Sequence, residues 1–152
     1  MFLKNTSLLY DNDEQAELVT RFCRINDLKI VHTVQNKAPG SYWSDNDLRR
    51  ILFDLKKRDI SKVVVSRMSN LGNREDDILN IIKTLNRHKI SICFVDIQQE
   101  TLDEEGELTE NACTMIYALE EIIETKSQAH TEKWLKSKAK AWGLRNKNKN
   151  YS

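Results

Sequence analysis

Strand-like and helix-like segments alternate through the first two thirds of this chain, and that alternation limits its fold more than any other feature. Residues 1–7 read as a short first strand. The acidic stretch 11–14 then favours a helix N-terminus, with Leu18, Phe22 and Ile25 recurring at helical spacing. Residues 28–31 resume an extended pattern and 37–41 form a loop. Ser44 with Asp47 resembles a capping pair ahead of the stripe Leu48, Ile51, Leu52 and Leu55. A further strand spans 62–66, Ile78, Ile81, Ile82 and Leu85 mark a third helix, and residues 90–96 form a fourth strand. Strands separated by helices imply βαβ crossovers. The fold class expected is therefore three-layer α/β, with a mostly parallel central sheet of four to five strands covered on both faces.

The end of the chain departs from that plan. An acidic, glycine-containing loop at 98–107 precedes a helix expected over 109–142, roughly 50 Å long at about 1.5 Å per residue. The division expected is a body at 1–106, a long helix at 107–145 and a basic disordered tail at 146–152, with Gly143 read as the residue that ends the helix. The first half of the helix is apolar at Cys113, Met115, Ile116, Leu119, Ile122 and Ile123, more than the body needs. Cys113, Ile116, Leu119 and Ile123 are therefore expected at a dimer interface. Its second half is lysine-rich, with Trp134, Leu135 and Trp142 interspersed.

Charge sharpens this contrast. The net charge is +1, yet from Lys126 onward eight basic residues face only Glu132, a local charge of +7. The remainder holds sixteen basic and twenty-two acidic residues, or −6, so attraction to a polyanion belongs to the C-terminal quarter. Lys133, Lys136, Lys138, Lys140, Arg145, Lys147 and Lys149 are the expected DNA contacts, through weak, salt-sensitive and largely sequence-independent binding. Three widely spaced cysteines, Cys23, Cys93 and Cys113, fit neither a disulfide framework nor a zinc pattern and read as buried, reduced thiols. His32, His88 and His130 lack partners at metal-ligand spacing, and no phosphate-cradling glycine loop is present, so no metal or nucleotide cofactor is expected. No apolar run approaches the roughly 18 residues of a membrane helix, and the chain reads as cytoplasmic.

The stretch Arg67-Met68-Ser69-Asn70-Leu71-Gly72-Asn73, entered from Val63-Val64-Val65-Ser66, resembles the serine recombinase (resolvase/invertase) catalytic domain. That family's turn reads Lys/Arg-Leu-Asp-Arg-Leu-Gly-Arg. The loop Asn36-Lys37-Ala38-Pro39-Gly40-Ser41 is similar to its Asp-Lys-Ala-Ser-Gly loop, and the order of elements over roughly residues 2–145 is also alike. The resemblance implies a serine that attacks a DNA phosphate, arginines that stabilise the developing charge, and a long helix that supports oligomer contacts and crosses the DNA minor groove.

The positions that carry this chemistry are altered. In a gapless register the family's N-terminal signature, Tyr-x-Arg-Val-Ser-Thr with a later glutamine, places Phe2 on the tyrosine, Lys4 on the arginine, Thr6 on the serine, Ser7 on the threonine and Gln15 on the glutamine. Lys4, Thr6 and Ser7 thus stand as vestigial catalytic candidates. Lysine lacks the guanidinium fork, and strand alternation turns Ser7 away from the face of Thr6. Asn36 replaces the loop aspartate, Asp45 an arginine ahead of the second helix, Ser69 the turn aspartate, and Asn70 and Asn73 two phosphate-clamping arginines. Arg49, Arg50, Arg67 and Arg74 lie nearby. Losing one such transition-state contact typically costs on the order of 100-fold in rate. The resemblance therefore implies a folded homologue without catalysis, associating with DNA, with a second copy or with an active recombinase. An active divergent recombinase using Thr6 or Ser7, and a protein-interaction module without DNA binding, stand as alternatives. No helix-turn-helix reader of base edges is expected before Ser152.

Overall fold

The computed structural model describes residues 5–35 and 45–150, with side chains at 45–47 and 140–150 left aside. Residues 1–4, 36–44 and 151–152 lie outside the described residues, and with them Phe2, Lys4, Asn36 and Ser44. The elements follow the expected alternation: β1 (Asn5–Tyr10), α1 (Asp13–Ile25), β2 (Lys29–Gln35), α2 (Asp45–Lys57), β3 (Lys62–Val65), α3 (Glu75–Arg87), β4 (Ser91–Phe94), β5 (Gln99–Glu100) and α4 (Glu110–Asn150). The sheet order is β2-β1-β3-β4-β5. The first four strands are mutually parallel, whereas β5 turns back antiparallel to β4.

Strand alternation divides the core. Leu9, Val63, Val65, Ile92 and Phe94 meet α2, α3 and the start of α4 through Ile51, Leu55, Ile81, Ile82, Leu85 and Leu119. Leu8, Val64, Cys93 and Val95 meet α1 alone, through Val19 and Cys23. Three helices thus cover one face and one covers the other.

Helices α1, α2 and α3 end in the same way at the amino edge of the sheet. In each, a residue in the left-handed region, Asp27 (φ 52), Asp59 (φ 54) or Lys89 (φ 61), is followed by an apolar residue. The apolar residue's N–H returns to a carbonyl five residues earlier: Leu28 to Cys23, Ile60 to Leu55 and Ile90 to Leu85, each at 2.9 Å. These are Schellman caps, which satisfy otherwise orphaned carbonyls and pin the exit to the core by an apolar contact. Glycine normally fills the left-handed position; here aspartate and lysine do.

Several sequence boundaries shift. β1 runs past Ser7 through the apolar pair Leu8 and Leu9, stopping where the Asn12 side chain accepts the Gln15 N–H (2.9 Å) and opens α1. β5 lies in what the sequence presents as loop. α4 passes through Gly143 to Asn150 instead of ending there, so residues 146–150 continue the helix. One glycine costs only about 1 kcal/mol in a helix interior, which the turns on either side of it can absorb. Cys23 and Cys93 are buried free thiols, as expected, but Cys113 is exposed on α4. Burial pushes the Cys23 thiol up to about 11 and that of Cys93 to about 12. Among the described residues no helix is long and apolar enough to cross a membrane.

α4 runs antiparallel to α3. Glu120 accepts from Lys83 (2.9 Å) and, farther along, Lys126 reaches back to Glu75 at the start of α3 (2.7 Å). From Glu124 to Ala139 every residue is exposed.

Candidate active site at the carboxyl edge

β3 carries Val65 to the carboxyl edge of the sheet, and Ser66 and Arg67 lead from it into a single 3-10 turn, Met68–Asn70. Leu71, fully buried, anchors the turn in the core. Gly72 packs closely on α3, with a hypothetical Cβ 3.4 Å from Asp77 Cβ and 3.5 Å from Ile78 Cγ1. The turn encloses Asn70, whose exposure is 0%. Its Oδ1 accepts from Ser66 Oγ (2.7 Å) and from the Arg67 N–H (3.0 Å). Its Nδ2 donates to Asp11 Oδ2 (2.9 Å) and Gln15 Oε1 (3.1 Å). Gln15 Oε1 also accepts the Asp11 N–H (2.8 Å).

One buried amide therefore ties the end of β1, the start of α1 and the turn after β3 into a closed polar knot. Burial raises the Asp11 carboxyl above its ordinary value, opposed by the hydrogen bond from Asn70 and by the charge of Arg67. Asp11 Oδ1 is buried without a partner among the described residues. Beside the knot lies a cleft of about 510 Å³ whose lining includes Asn12, Glu14, Gln15, Glu17, Arg21, Ser66, Arg67 and Asp96. Strand order reverses between β1 and β3, the place where open parallel sheets hold ligands. No group of three or more His, Cys, Asp or Glu side chains is placed to hold a metal among the described residues.

Gln15, Asn70 and Arg67 are thus brought together, with Ser69 and Asn73 exposed on the same turn. Arg74 is exposed and pairs with Asp76 (3.0 Å), and Arg49 and Arg50 are exposed on α2. Asp45 opens α2, its side chain outside the described set. Thr6 and Ser7 are not brought to the turn. They pair with Lys62 and Val63 at the start of β3, while Leu9 pairs with Val65, so Thr6 sits about 10 Å back along the strand. Thr6 is fully buried and Ser7 is 4% exposed. Ser7 Oγ instead meets His32 Nδ1 at 2.9 Å. Burial and the charge of Arg58 hold that imidazole below its usual range, against the pull of Asp54.

Asp11, Ser66, Asp96 and His32 were read from the sequence only as parts of a helix start or of strands, not as site residues. The signal available for Asp11 was its place directly before a helix-capping asparagine.

On α4, Lys133, Lys136 and Lys138 are exposed, and Lys138 Nζ lies 5.5 Å over the Trp134 ring. Lys140, Arg145, Lys147 and Lys149 occupy the helix, their side chains outside the described set. Of the residues expected at a dimer interface, Cys113 is exposed. Ile116 and Ile123 lie partly buried against the core, and Leu119 is within it, 5% exposed.

A parallel α/β domain with a polar site at the β1/β3 edge and a long terminal helix defines the class of protein to which this chain belongs. The family follows from sequence: a model described as the resolvase N-terminal domain matches residues 7–141, and the chain belongs to that family, the serine recombinases. The fold agrees with the N-terminal catalytic domain of TP901-1 integrase (TM-score 0.66, 16% identity, 83% of this chain and 98% of that one). It agrees equally with a resolvase family site-specific recombinase from Streptococcus pneumoniae (TM-score 0.67, 18% identity, 90% of this chain and 99% of that one). No curated protein matches in sequence.

Proposed function

We propose that this serine recombinase homologue does not cut DNA and instead associates with DNA, or with an active recombinase, through the basic second half of α4. The observation that carries the reading is Asn70. It occupies the position of a phosphate-clamping arginine in the resemblance, yet it is fully buried and its amide is spent inside the protein. The groups around it are Asp11, Glu14 and Asp96 more than cations, and carboxylates repel a phosphodiester. A nicked suicide DNA substrate, which traps a covalent protein–DNA intermediate, tests the first half: the expected result is no adduct. Fluorescence anisotropy with duplex DNA tests the second. Binding that weakens steeply between about 50 and 200 mM salt, and that drops when Lys133, Lys136 and Lys138 become glutamine, supports the arm; unchanged binding refutes it.

One observation favours a second reading, an active divergent enzyme. The Ser7 hydroxyl has an imidazole within hydrogen-bond reach, the arrangement a nucleophile and its base require. In that case the adduct forms and Ser7→Ala abolishes it.

A further inference from the structure

On the side of α3 away from the sheet edge just described, α3, the loop at 101–109 and the start of α4 enclose a groove of about 390 Å³. That size lies within the range of small-molecule sites. Its floor is apolar: Leu102 is 6% exposed, Ile116 is partly buried against the core, and Leu108 beside them is left 45% exposed. Its wall is cationic. Lys83 is held by Glu120 and Lys89 Nζ uses one of its donors on the Gly106 carbonyl (3.0 Å), but Arg87 is exposed with no ion pair or hydrogen bond among the described residues. Asn86, also in the wall, accepts from Thr101 Oγ1 (2.8 Å) through Oδ1 while its buried Nδ2 has no acceptor among the described residues.

We propose that this groove is a binding site for a small apolar monocarboxylate. The carboxylate sits at Arg87, whose planar fork matches two oxygens, with Lys89 beside it, and the apolar body lies on Leu102, Leu108 and Ile116. Glu107 on the same wall selects against ligands of higher negative charge, phosphates and nucleic acid included. Because Arg87 belongs to α3 and Ile116 to α4, a bound ligand bridges the two helices and tightens the seat of α4.

The test is a two-dimensional NMR titration of the full chain with phenylbutyrate, with its neutral amide and with inorganic phosphate. Phenylbutyrate is expected to shift amides at 83–89, 101–108 and Ile116. The neutral amide, and phenylbutyrate added to the Arg87→Gln variant, should each bind about tenfold more weakly, the usual effect of losing one charge-assisted contact. Leu108→Ala should weaken binding without removing the charge preference. Equal binding of acid and amide, unchanged affinity in Arg87→Gln, shifts elsewhere, or phosphate alone matching phenylbutyrate overturns the proposal. Arg87 and Leu108 are both exposed, so the two variants keep the fold.

Discussion

The two edges of the sheet are built on different principles. At the amino edge three helices end in one repeated backbone device, each held by an apolar residue: Ile60 and Ile90 are buried in the core, and Leu28 packs partly buried against it. At the carboxyl edge no device repeats among the described residues, and a single buried amide joins three segments by side-chain hydrogen bonds. The amino edge needs only backbone geometry and an apolar anchor, so it tolerates aspartate and lysine in a position that usually falls to glycine. The carboxyl edge depends on the identity of one side chain. Side-chain identity therefore matters most at the carboxyl edge, where the candidate site lies, and least at the amino edge.

Ile90→Ala should have the largest effect, about 3 kcal/mol, because it removes both a fully packed side chain and the anchor of a cap. It is read from the midpoint of urea unfolding at constant slope. Asn70→Ala should follow at about 2 kcal/mol, since it removes the partner of Ser66 Oγ, of the Arg67 N–H and of Asp11 Oδ2 together. A cost near zero would mean that water replaces the amide, and the carboxyl edge would lose its claim to specificity. Asp59→Gly should stabilise by about 1 kcal/mol by relieving a left-handed conformation; a loss instead would show that the aspartate itself holds the amino edge.

The smallest effect is a trend with pH. The Asp11 carboxyl is raised in the folded state, chiefly by burial, so its contribution is complete below the ordinary carboxylate value and is lost as pH rises through the raised one. The Asp11→Asn variant lacks that loss. Its stability relative to the parent should therefore grow as pH rises out of the acid range, measured by thermal unfolding across a pH series. The opposite slope would show that Asn70 and Arg67 outweigh burial at this carboxylate.

Much of the fold was legible because periods of two and of 3.6 residues report directly which side of an element meets the core. The stripes at Leu48 to Leu55 and at Ile78 to Leu85 both became helices packed as expected. Boundaries were less legible. β1 gained Leu8 and Leu9 because its end is set by the Asn12 cap, and β5, two residues long, has no period at all. The site was half legible. The turn announced itself by likeness to a family, but the bond from Asn70 to Asp11 spans 59 residues, and nothing local in either segment points to the other. His32 shows the same limit: its partner Ser7 comes from the neighbouring strand, across a register shift between Thr6 and Ser7.

α4 has a mechanical consequence. It is a cantilever: residues 110–126 form the seat, and the remaining residues to Asn150 form an overhang of about 36 Å. A tilt of about 10° at the seat sweeps the far end through about 6 Å. The outer fastening is the exposed ion pair between Lys126 and Glu75, of a kind worth at most about 1 kcal/mol and weakened by salt. Where the lysines of the arm arrive is therefore decided far from them, at a clasp on the body that ionic strength loosens.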